Sequence, residues 1–237
     1  GQYHNPLVAV YLFPAGDDFS KLGYYERYDS NRNFPVQYWP YANDMSMENP
    51  YWITERERFV NHKTRNQVTA SLNYKINDWL DVTGRVKYDK SSNKYEYKFH
   101  ASTNLLYASK YGAYKHVTED YTQMFAEAFL KANKYFADET WNVSGVLGTS
   151  YTQNDYEPFG FEGHLLGTAN IFTFENVKTS DANFKKYQDD GYRTRLESVY
   201  GTAQIGYRSM AYIDLTARND WSSKLEDHFF YWSGGIS

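Results

Sequence analysis

Hydrophobic and polar residues alternate along much of this chain with a period of two. From Asn66 to Tyr74, Val68, Ala70, Leu72 and Tyr74 share one face, and Gln67, Thr69, Ser71 and Asn73 share the other. The alternation resumes at Leu80, Val82, Gly84, Val86 and Tyr88 against Asp81, Thr83, Arg85 and Lys87. A period of two places successive side chains on opposite faces of a strand. The polar link Ile76-Asn77-Asp78 makes these two strands a hairpin. The same unit recurs twice. Met124 to Lys134 turns at Ala137-Asp138-Glu139 into Trp141 to Thr152, and Ser198 to Tyr207 turns at Arg208-Ser209 into Ala211 to Arg218. A further strand starts near Phe230. The pattern predicts about seven strands of roughly 9–12 residues, the length that crosses a bilayer when tilted.

The links alternate too. Hairpins occupy 65–88, 121–153 and 197–220, and a new strand opens at 229–237. Between them lie long segments at 89–120 and 154–196, preceded by another at 1–64. Tight turns at one end and long loops at the other are the mark of a transmembrane barrel with its long loops outside the cell. A soluble antiparallel sandwich alternates as well. It is disfavoured by the loop lengths and by an apolar face thin in bulk and rich in Ala, Gly and Val. Rings near strand ends, at Tyr74, Trp79, Tyr88, Trp141, Tyr151, Tyr207 and Trp232, suit a membrane-interface girdle. Seven strands do not close a bacterial barrel, and open edges are not tolerated in hydrocarbon. The expected fold class is therefore all-β, part of a large antiparallel transmembrane barrel.

Composition narrows the function. The 237 residues carry 25 Lys+Arg against 29 Asp+Glu, which gives no basic excess for nucleic acid. There is no cysteine, which excludes disulfides and thiolate chemistry. Aromatic residues make up 19% of the chain, yet the mean hydropathy is −0.76 and no apolar run is long enough for a membrane helix. Gly1 to Leu12 does not read as a signal peptide.

Several strings carry a family likeness. They are Asn5 to Pro14 (NPLVAVYLFP), Asn49-Pro-Tyr-Trp52, and the hairpin Asn66 to Lys87 with Asn77-Asp78-Trp79-Leu80. The fullest is Ser198 to Tyr207 (SVYGTAQIGY) leading to Tyr212 to Ser223 (YIDLTARNDWSS). In order and spacing, over almost the whole chain, they resemble the SusC/RagA family of TonB-linked outer-membrane proteins of Bacteroidetes. The resemblance implies an early to middle part of a large barrel. That barrel is filled by an N-terminal plug with a TonB box, neither of which resembles anything here. It also implies a SusD-like surface lipoprotein as partner, import of oligosaccharides or peptides, and no enzymatic activity or cofactor.

Candidate contacts follow from residue type. The rings Trp39, Tyr41, Tyr51 and Trp52 could stack on sugar faces, or simply pack the long loop. The charges Asp81, Arg85, Lys87, Glu127, Lys131, Asp214 and Arg218 should face the lumen, lining a solute path or holding the plug, with plain solvation as the simpler reading. Asp29-Ser-Asn31-Arg-Asn33 matches only the first half of a calcium loop, since Phe34 stands where glycine is required. The histidines show no i,i+4 ligand pair. Two rival readings use the same residues: a passive porin or adhesin barrel, and a soluble carbohydrate-binding sandwich.

Overall fold

The computed structural model describes residues 5–11, 13–39, 48–188 and 190–237. After a short helix α1 (Pro6–Tyr11), a small hairpin forms from β1 (Glu26–Asp29) and β2 (Phe34–Gln37). Helix α2 (Pro50–Arg56) leads directly into the first long strand. The main sheet is built from β3 (Glu57–Asn77), β4 (Leu80–His100), β5 (Gly112–Phe136), β6 (Trp141–His164), β8 (Tyr192–Tyr207), β9 (Ala211–Ser222) and β10 (Phe229–Ile236). A two-residue strand β7 (Lys185–Lys186) pairs with β6 beyond the reach of β8. Otherwise neighbours in space are neighbours in sequence, in the order β10-β9-β8-β6-β5-β4-β3. This is the meander expected of a barrel wall.

Each tight turn has a local cause. Between β3 and β4 the Asn77 side chain accepts the Trp79 amide at 3.1 Å, and Lys75 reaches Asp78 at 2.8 Å. Between β8 and β9, Arg208 and Ser209 both adopt positive φ, 49° and 57°, and the Met210 amide closes on the Tyr207 carbonyl at 2.9 Å. Consecutive left-handed residues match the twist of a two-stranded ribbon. Ala137, Asp138 and Glu139 do the same between β5 and β6.

The strands are longer than the alternation predicts. β4, β5 and β6 span 21, 25 and 24 residues. Much of what reads as loop at 89–120 and 154–196 is therefore strand, and β3 already begins at Glu57, inside 1–64. The segments left between the long strands are 101–111 and 165–191. The reason is that alternation marks a strand only where one face is apolar and the other polar. Beyond Tyr88 the sequence Asp89-Lys-Ser-Ser-Asn-Lys94 has no such contrast, and the alternation returns only with Tyr95, Tyr97 and Phe99 against Glu96, Lys98 and His100.

The chain divides into two compact units. One, residues 64–92, 120–157 and 191–237, holds the alternating segments and will be called the strand unit. Its apolar face is bare. Val68 is 64% exposed, Leu72 74% and Leu147 59%, and Val86, Val199, Ile213 and Leu215 are exposed too. No second layer covers it among the described residues. The rings at its margins are also open, with Trp141 against Tyr207 at 4.7 Å across the register that pairs them.

The other, residues 1–63, 93–119 and 158–190, contains the buried side chains of the loops. Tyr114, Leu165 and Val177 form its core with Phe161, Phe172 and Phe184. Gly160, at φ 146°, lets β6 press against β5, since a Cβ there would lie 2.1 Å from the His116 carbonyl oxygen. Asn49 caps α2 by accepting the Tyr51 amide at 3.0 Å, and its own amide donates to the carbonyls of Leu22 and Tyr38. The Asp29 to Asn33 segment is the turn of the small hairpin: the Asp29 carboxylate accepts the amides of Asn31 and Arg32.

Candidate functional site: the polar face of the strand unit

Every side chain opposite the apolar face of the strand unit is placed by strand parity. Ser198, Tyr200, Thr202 and Gln204 of β8 alternate with Val199, Gly201, Ala203 and Ile205, and the register carries this parity to β6 and β9. The polar face is interlocked. Tyr200 reaches across β6 to donate its hydroxyl to Glu127 of β5 at 2.7 Å. It passes over Gly148, where a Cβ would meet its ring at 2.5 Å. Glu127 also pairs with Arg85 of β4 at 3.5 Å. On the other side Arg218 of β9 lies over the Tyr200 ring and bonds Ser198 Oγ at 2.9 Å and Asp220 at 2.8 Å. A second group joins Arg65 to Asp89 by two bonds of 2.9 and 2.6 Å, with Lys87 at 3.5 Å from the same carboxylate. Gln204 donates to Asp214 at 2.8 Å.

Of the seven charges expected on this face, Arg85, Glu127 and Arg218 therefore meet through Tyr200. Lys87 joins Asp89, and Asp214 binds Gln204. Asp81 shares the face, half-buried, and Lys131 is exposed on it. Pairing through fixed, bidentate or aromatic contacts holds these side chains against the wall.

The loop rings stand elsewhere. Trp52 is fully buried and donates its indole N–H to Thr103 Oγ1 at 3.0 Å. This corrects its expected stacking role: it is packing, because no face of the ring reaches solvent. Tyr51, one residue earlier, is 36% exposed beside Phe19. Trp39 is half-buried and donates to Gln37 at 3.2 Å. Tyr41 lies outside the described residues.

Two buried carboxyls flank α2. Glu48 accepts the Asn104 amide at 2.6 Å and Gln37 Nε2 at 3.3 Å, and it hydrogen-bonds Glu57. Burial pushes the Glu57 carboxyl up to about 7. His100 Nδ1 sits 2.6 Å from the Arg56 carbonyl, and burial lowers its pKa. Among the described residues no group of three or more His, Asp or Glu could hold a metal ion.

Sequence reasoning missed one feature of the polar face. Tyr121 of β5, Tyr156 of β6 and Tyr192 of β8 stand side by side, with ring centroids 4.6 and 5.3 Å apart. Their parity with Glu127, Ser150 and Ser198 was the available signal, but Tyr156 and Tyr192 fall where the alternation fades.

No family model and no curated protein matches the sequence. Solved structures do. Chains of the RagAB peptide importer in its "open-open" and "closed-closed" states match with TM-scores of 0.69 and 0.70, at 15% and 16% identity, over 85% and 88% of this chain. A further RagAB peptide transporter structure matches at TM-score 0.70 and 13% identity. The fold is that of a stretch of strands shared with these RagAB chains, all-β and part of a large antiparallel barrel. The chain spans 22–23% of the length of the solved chains it matches, so its strands are a sector of a larger barrel.

Proposed function

We propose that this SusC/RagA-like sector belongs to a TonB-energised outer-membrane importer that admits oligosaccharides or peptides together with a SusD-like surface lipoprotein. The observation that carries the reading is the opposition of the two faces of one sheet. The outer one is apolar and uncovered, the inner one cross-linked by charge and hydrogen bonds. Only a lipid surface matches the first, and only a water-filled or plugged interior matches the second. The long loops then face the medium, opposite the tight turns, and TonB acts through the plug that such barrels enclose. The RagAB chains that share this fold are described as a peptide importer or transporter, which supports transport over catalysis. Asp81, Lys87, Lys131 and Asp214 line the interior, while Tyr51 and Trp39 remain contacts for solute or lipoprotein at the loops.

The test uses the full-length gene product in its own host. Deleting the gene, or the host's TonB, should abolish growth on the imported nutrient. Growth that needs the barrel but not TonB would establish the rival reading, a passive porin.

A further inference from the structure

We infer that Tyr121, Tyr156 and Tyr192, with the row beneath them, form a contact strip for a neutral saccharide on the inner wall. The inference rests on the reading of this face as the barrel interior. The second row consists of Gln123, Asn154 and Thr194, and the register pairs Asn154 with Thr194 and Tyr156 with Tyr192. Gln123 Nε2 donates to Asn154 at 2.9 Å, and Asn154 Nδ2 points to Thr194 Oγ1 at 3.4 Å. Two rows on three adjacent strands thus place rings above amides and a hydroxyl.

The chemistry is specific. Tyr121 and Tyr192 are 40% and 54% exposed, so their rings are open to solute. Aromatic faces stack on the C–H faces of pyranose rings, and phenol, amide and hydroxyl groups both donate and accept, as sugar hydroxyls require. None of the six residues carries a charge at neutral pH. The nearby charged pair Arg193–Asp155 sits at the opposite parity, on the outer side of the same strands. A peptide brings charged termini; on this face the ions beside the strip, Arg65, Asp89 and Lys87, are already joined to one another, and none belongs to the two rows. A neutral saccharide brings ring faces and hydroxyls only, which is what the two rows complement.

The experiment takes the purified full-length transporter in detergent and presents it with two arrays, one of neutral oligosaccharides and one of tripeptides. Retention of neutral oligosaccharides is expected. Tyr156→Ala and Tyr192→Ala should each weaken it by about tenfold, whereas Tyr192→Phe should retain most of it and Tyr151→Ala, on the outer side, should change nothing. Heat-modifiable migration of each variant checks that the barrel is formed. Retention of tripeptides alone, retention of neither class, or wild-type binding by both alanine variants would overturn the proposal. TonB-dependent growth that survives such a result would leave the importer reading standing and remove only the saccharide strip.

Discussion

Gly148 and Tyr200 form a crossing: the Tyr200 ring lies so close over β6 that a Cβ on residue 148 would fall 2.5 Å from its Cζ. The glycine clears the path by which the β8 phenol reaches Glu127 on β5. Gly148→Ala should therefore displace the ring and break the bond to Glu127. Its cost should match that of overpacking, about 1–3 kcal/mol, while Tyr200→Phe, which loses only the hydroxyl, should cost about 1–2 kcal/mol. Urea unfolding of the full-length barrel in lipid vesicles measures both. A cost for Gly148→Ala no larger than that of an exposed alanine substitution would contradict the crossing.

The bare apolar face has its own test. Leu147 and Ile213 are exposed at the same parity on β6 and β9. Arg at either position should destabilise the barrel in vesicles by about 2–4 kcal/mol if the site is near the bilayer midplane. Arg at Thr202, on the inner face, should cost far less. Equal costs for the two faces would argue against a lipid-facing surface.

Trp52 should matter to folding rather than to solute. Its ring is fully buried and its N–H is satisfied by Thr103. Trp52→Ala should lower the stability of the loop unit by about 3–5 kcal/mol, seen as faster protease cleavage between 48 and 104. Tyr51→Ala, at a half-open position, should leave cleavage unchanged. Equal protease resistance of the Trp52 variant and the wild type would refute the packing role.

The Glu57 carboxyl gives a pH dependence with a definite sign. Its folded pKa is raised from 4.5 to about 7 by burial. Below the unfolded value both states are protonated and the group costs nothing. As pH climbs from about 4.5 to about 7 the unfolded chain ionises first, so the loop unit loses stability, and above that range the loss is complete. Glu57→Gln should flatten this profile. Proteolysis of the full-length protein at stepped pH reads it directly, and a profile unchanged by the substitution would exclude Glu57 as its source.

The hairpins at 65–88, 121–153 and 197–220 were legible because their two faces meet different solvents, and lipid on one side and water on the other write a period of two into the residues. For the same reason the parity of Arg85, Glu127 and Arg218 was readable before any contact was known. The contrast lapses over Asp89 to Lys94 and over Gln153 to Asp155, so the extension of β4 to His100 and of β6 to His164 reads as loop, although Tyr95, Tyr97 and Phe99 alternate again with Glu96, Lys98 and His100, and the row of Tyr121, Tyr156 and Tyr192 went unread with it. Residue type alone could not separate Tyr51 from Trp52, because which ring of a Tyr-Trp pair turns inward depends on a partner, Thr103, half a hundred residues away. Cross-strand register decided the rest. It set Tyr200 over Gly148 and beside Glu127, a meeting of three strands that sequence spacing does not encode.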